Sequence, residues 1–176
     1  MEVRLPLEID GFVLREFGEG DIPRLCELAD DYEVWRHLSD EFPHPYDEAA
    51  ARRWIEEQLG HDPPRNLAIA DGSGLVGGIG LMLTDAPNYA HDGEVGYWLG
   101  QPYWGRGIVT VALRAFLAWA APVHGLSRFT ARVYHGNEAS VRVLERSGFI
   151  REGVLRRGVH KEGAVLDLLV YGYLVE

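Results

Sequence analysis

Between Glu94 and Ala121 a strand-like run, a turn punctuated by glycine and a helix-period run follow one another almost without interruption. Glu94 to Leu99 (EVGYWL) reads as a strand. Tyr103-Trp104-Gly105-Arg106-Gly107 reads as a turn, whose glycines let the backbone come close to a ligand. Gly105 to Ala121 reads as a helix, with Val111, Leu113, Phe116, Leu117 and Ala120 on its apolar face. Free N–H groups at such a helix start form an anion site, suited to a phosphate or pyrophosphate. No Gly-Lys-Ser/Thr follows and the pattern is not G-x-G-x-x-G, so neither common nucleotide loop is present. Taken alone, the segment reads equally well as a plain tight turn.

The rest of the chain alternates the same two periodicities. Gly11 to Phe17 is a strand. A helix runs from Asp21 to about Asp30, with Pro23 in its first turn. Tyr32 to Leu38 is a short helical or irregular piece, and Phe42-Pro43-His44-Pro45 is a proline-broken loop. Asp47 caps a helix reaching Leu59. Asn66 to Ala70 and Leu75 to Leu83 are strands joined by the Asp71–Gly74 turn. Ser127 to Tyr134 is a strand, Asn137 to Arg146 a helix, and Phe149 to Leu155 and Val165 to Tyr173 are the last strands. The order β-α-α-β-β-β-α-β-α-β-β implies an α/β (α+β) chain: a mixed sheet with helices on both faces.

Composition narrows the classes. The chain has 176 residues, 47% of them hydrophobic, enough for one globular domain spanning 1–176. No apolar stretch is long enough to span a membrane, and no apolar signal core opens the chain, so neither membrane insertion nor secretion is expected. Cys26 is the only cysteine, so no internal disulfide and no cysteine metal cluster can form, which fits the cytoplasm. The formal net charge of −10 argues against nucleic acid as a partner and suits a cationic acceptor such as an amine. His37 and His44 match no metal-ligand spacing, and no metal is expected. Trp35, His37, Phe42 and His44 are candidates for the acceptor side, although core packing explains Trp35 and Phe42 as well. His160, Lys161 and Glu162 read as a solvated hairpin tip.

A second motif makes the reading specific. Asn137-Glu138-Ala139-Ser140-Val141-Arg142-Val143-Leu144-Glu145-Arg146-Ser147-Gly148-Phe149 follows the Gly-Arg-Gly turn by about thirty residues. The pair WGRGIVT and NEASVRVLERSGF resembles motifs A and B of the GNAT N-acetyltransferases. The Tyr103-Trp104 dipeptide, GEVGYWL, Glu152 to Arg156, Asp167 and the opening FVLREFGEGDIPRL are similar to the ribosomal-protein-alanine N-acetyltransferase branch.

The resemblance implies a GNAT fold: a mixed, mostly antiparallel central sheet splayed between two parallel strands, Glu94–Leu99 and Ser127–Tyr134, with helices on both faces. It implies acetyl-CoA as cosubstrate, with the thioester lying in the splay. The backbones of Trp98 and Leu99 would bond the pantetheine arm. The Trp104 region and the amides of Gly105, Arg106, Gly107, Val109 and Thr110 would hold the pyrophosphate, and Asn137 would contact the pantetheine end or the acceptor. Two departures stand out. Val109 occupies a position where the family has Gly or Ala. Leu144 stands where many members carry a tyrosine acid for the leaving thiolate, which makes Ser140 the replacement. Glu94 is the candidate base for the incoming amine, and the Leu99 N–H the candidate donor to the thioester carbonyl. The acceptor would be a small-molecule or peptide amine, and a homodimer is the family's common habit. The alternatives are a catalytically silent module that binds acetyl-CoA, motivated by Val109 and Leu144, and a nucleotide-phosphate binder that uses the Gly-Arg-Gly turn.

Overall fold

The computed structural model describes residues 5–176. Among them, eight strands form one sheet in the spatial order β1-β2-β3-β4-β5-β6-β8-β7. The strands are β1 (Leu7–Ile9), β2 (Phe12–Arg15), β3 (Asn66–Asp71), β4 (Gly74–Leu83), β5 (Asp92–Leu99), β6 (Arg128–Tyr134), β7 (Ile150–Lys161) and β8 (Ala164–Leu174). The helices are α1 (Ile22–Ala29), α2 (Tyr32–Trp35), α3 (Glu48–Leu59), α4 (Ile108–His124) and α5 (Glu138–Arg146). All neighbouring strands are antiparallel except β5 and β6, which are parallel.

Strand alternation sorts the core onto two faces. Leu67 and Ile69 of β3, Val95 and Leu99 of β5, and Phe129, Ala131 and Val133 of β6 join Leu113, Phe116, Leu117 and Ala120 of α4 and Leu144 of α5. On the opposite face Ala68 and Leu75 pack with Ile22, Leu25 and Ala29 of α1 and Ala51 and Ile55 of α3, and Trp98 leans on that cluster. Helix α3 starts where the sequence places it, because the Asp47 carboxylate accepts from the Ala50 N–H at 2.8 Å.

Several boundaries differ from the expected ones. The first expected strand shortens to Phe12–Arg15, because Asp10 and Gly11 sit at φ 42° and 84° and turn the chain back onto β1. Helix α4 begins at Ile108, three residues late, because Gly105 and Gly107 hold left-handed φ of 73° and 76°. It then continues past Pro122 to the left-handed Gly125, whose neighbour Leu126 returns an N–H to the Ala121 carbonyl at 2.9 Å. Strand β7 runs on to Lys161 rather than ending at Leu155, with irregular pairing between Leu155 and Val159.

The feature that positions the site is the parallel pair. Strands β5 and β6 match only at Asp92, Gly93 and Glu94 against Arg128, Phe129 and Thr130. Both strands then continue, β5 to Leu99 and β6 to Tyr134, so a fork opens beyond Glu94.

Candidate active site

Backbone register decides which groups line the fork. The Gly100 N–H donates to the Val76 carbonyl at 2.9 Å. Antiparallel bonds recur at every second residue, and Gly78 faces Trp98 while Gly80 faces Gly96. The N–H and C=O groups of Gly96 and Trp98 are therefore turned to β4. Those of Tyr97 and Leu99 point the other way, into the fork. The Trp98 backbone, expected to bond a pantetheine arm, is thus turned to β4, and it is the Tyr97 backbone that faces the fork beside Leu99. The Leu99 carbonyl in turn accepts from the Trp104 indole N–H at 2.7 Å, which fastens the loop to the strand and leaves the Leu99 N–H as the open group.

The loop from Tyr103 to Gly107 leads from the end of β5 into α4. Among the described residues, no backbone hydrogen bond is made by the N–H groups of Gly105, Arg106, Gly107, Ile108 and Val109. The Thr110 N–H, by contrast, returns to the Gly107 carbonyl at 3.1 Å, which takes it out of the expected anion-binding set. Val109 is half-buried and packs on the core below α4, so its side chain turns inward and leaves the amide side of the loop clear. The Arg106 guanidinium lies over the Tyr103 ring, 5.7 Å from its centre, and the Tyr103 hydroxyl accepts from Arg24 at 2.9 Å. This braces the loop against α1. The five open amides at the start of a seventeen-residue helix suit a pyrophosphate.

On the α4–α5 face, Asn137 caps α5 by accepting from the Ser140 N–H at 3.2 Å. The Tyr97 hydroxyl donates to the Ser140 carbonyl at 3.3 Å, so it spans the fork from β5 to α5. Burial pushes the Tyr97 phenol well above its ordinary value and keeps it protonated. Leu144 is fully buried and belongs to the core, not to the site.

On the other face, β5 presents Glu94, Gly96 and Trp98 in alternation. A Cβ at Gly96 would meet nothing within 4 Å, so an open slot lies between the Glu94 and Trp98 side chains. Glu94 is half-buried where the strands part, and its carboxylate meets Arg132 of β6 at 3.0 Å. Burial raises the Glu94 pKa above the usual carboxylate range, Arg132 opposes that rise and Asp92 adds to it. The result is a carboxylate more basic than an exposed one.

The far wall of this face is aromatic. Phe42 meets Trp98 edge-on at 5.7 Å and Tyr46 at 5.0 Å. Trp35 stacks on His44 at 5.2 Å. His37 is half-buried, with its pKa lowered by that burial. Among the described residues, no aromatic pairing or side-chain hydrogen bond ties it to the other three. At the tip between β7 and β8, His160 and Glu162 are exposed as expected, but Lys161 is not. Lys161 is buried, with its ammonium 3.5 Å from the centre of the Trp35 ring and 2.6 Å from Asp40. The Tyr32 hydroxyl donates to Glu162 at 2.8 Å. The hairpin is therefore pinned to α2 and the loop after it. Strand alternation alone groups Glu94, Gly96 and Trp98. No local pattern reveals that Lys161 folds across to Trp35, because that contact joins residues far apart in the chain.

Residues 12–150 match the family model described as an acetyltransferase (GNAT) domain. The SPbeta prophage-derived N-acetyltransferase YokL of Bacillus subtilis (strain 168), itself uncharacterised, is 32% identical over 169 residues, spanning 93% of this chain and 89% of that protein. The ribosomal-protein-serine acetyltransferase of Escherichia coli (strain K12) is 34% identical over 83 residues, 47% of this chain and 46% of its own length. A crystal structure from T. thermophilus, assigned as an acetyltransferase, superimposes with a TM-score of 0.77 at 33% identity, covering 98% of this chain and 90% of that one.

Proposed function

Since the chain belongs to the acetyltransferase (GNAT) family and is an acetyl-CoA-dependent N-acetyltransferase, we propose that it acetylates the terminal α-amine of a peptide or protein by direct attack in the fork, with Glu94 as base. The half-buried Glu94 carboxylate, at the point where β5 and β6 part, carries this reading. An α-amine is about one-third neutral near pH 7.5, whereas a lysine-type amine is neutral in about one part in a thousand. A carboxylate, even one with a raised pKa, suffices for the first and is a poor match for the second. The E. coli relative named for a ribosomal-protein serine supports a protein acceptor.

The roles follow from position. The open amides from Gly105 to Val109 hold the pyrophosphate, with the Arg106 charge beside them. The Leu99 N–H bonds the pantetheine arm. Leu99 lies five residues from Glu94, about 17 Å along an extended strand, while Tyr97 is about 10 Å away. A carbonyl close enough for an amine served by Glu94 therefore takes its hydrogen bond from the Tyr97 N–H, with Leu99 further out. The amine enters over Gly96, loses its proton to Glu94 directly or through water, and forms the amide bond as the C–S bond breaks. The departing thiolate takes a hydrogen bond from the Ser140 hydroxyl on the α4–α5 face and its proton through that hydroxyl from solvent.

A thiol-release assay over peptides with free N-termini, matched against N-blocked peptides bearing one lysine, tests this. Turnover confined to free N-termini is expected. Turnover confined to the lysine peptides would overturn the α-amine assignment.

A further inference from the structure

Asp92 takes no part in the steps above, yet it carries the densest polar network at the fork. It sits two residues before Glu94 on the same face of β5. Its carboxylate accepts from the Thr130 hydroxyl at 2.7 and 2.9 Å and from Arg128 Nε at 3.1 Å. Arg128 also pairs with Glu152 of β7. Thr130 is the residue paired with Glu94, on the last matched rung before the strands separate. Short parallel ladders are weak, and three matched positions must here resist whatever is inserted above them. The side-chain bonds of Asp92 cross the same gap as the ladder and reinforce it.

We propose that Asp92 is a positioning residue for acetyl transfer: it bolts β5 to β6 beneath the fork through Thr130 and Arg128, and it sets a negative charge on the face of β5 that carries Glu94, where Arg132 supplies the positive one. The proposal rests on the reading of Glu94 as base. Two charges face Glu94. Asp92, from its own strand, disfavours a second negative charge, while Arg132, from β6 at 3.0 Å, favours it. Arg128 bridges Asp92 and Glu152. Asp92 and Arg132 therefore act with opposite sign.

The sign fixes the test. Asp92→Asn removes the charge while its side-chain oxygen still accepts from Thr130. Carbon-detected NMR titration of Glu94 should then show its midpoint moving down by about half a pH unit or more. In Arg132→Gln it should move up. Thr130→Val removes the hydroxyl bond without touching a charge. It should weaken acetyl-CoA binding several-fold by calorimetry. A residue serving only to hold the fold would lower thermal stability in each variant and leave the Glu94 midpoint in place. An unmoved midpoint in Asp92→Asn, or unchanged acetyl-CoA affinity in Thr130→Val, overturns the proposal. Glu94→Gln tells the two readings apart. If it keeps full activity and the same pH profile, Glu94 is not the base, whatever the titrations show.

Discussion

The proposed mechanism turns on two residues, Glu94 and Gly107. If Glu94 is the base, Glu94→Gln should lower kcat/KM by about 10²-fold and flatten the acid limb of its pH profile. That limb should lie above the range of an exposed carboxylate, because burial raises the Glu94 pKa and the base works only when deprotonated. A rate scan from pH 5 to 9 reads both. Gly107→Glu places a bulky anion at φ 76°, at the mouth of the open amides. Acetyl-CoA affinity by calorimetry should fall at least about tenfold, and an unchanged affinity would remove the loop from the site. Both positions are legible from the sequence as candidates, one as a carboxylate opening a strand, the other as a glycine before a helix. The exchange of Trp98 for Tyr97 is not. It depends on whether odd or even residues face β6, and only the pairing register decides that.

Among elements, the β7–β8 hairpin departs furthest from its sequence reading. Its charged tip has the composition of a solvated turn, and two-residue turns with positive φ at Glu162 and Gly163 are normally exposed. Lys161 instead lies under Trp35, because an indole face and the Asp40 carboxylate together replace the water its ammonium loses. Lys161→Met keeps the length and removes the charge. Amide exchange at the tip should rise, and the acceptor KM should rise about three- to tenfold with acetyl-CoA affinity unchanged. If KM stays put, the hairpin does not wall the acceptor side. The helices are more legible than the hairpin. Asp47 and Asn137 mark helix starts by short-range bonds, whereas α4 reads early at its start and short at its end, because nothing local separates its two left-handed glycines from the helix that follows or carries the helix past Pro122 to Gly125.

For the molecule as a whole, the large core under α4 sets stability. Phe116 is fully buried between α4 and the sheet, in contact with Trp119, and Phe116→Ala should cost about 3–5 kcal/mol in chemical denaturation. Element order and the two-faced architecture are legible because periodicity records which face each residue buries. The point where β5 and β6 separate is not, since both strands keep strand-like sequence beyond Glu94. That separation has a consequence for assembly. Strands β1 to β5 occupy residues 7–99 and strands β6 to β8 occupy residues 128–174, so each leaf of the sheet is one unbroken stretch of chain. A protein severed at the exposed Gly125 turn yields two pieces, each carrying its leaf entire, and an acetyl-CoA bound in the proposed fork would bridge them like a rivet. The core shared under α4 should hold the two pieces together, and a dissociation constant between them that falls when acetyl-CoA is added would make the cosubstrate a reporter of its own binding.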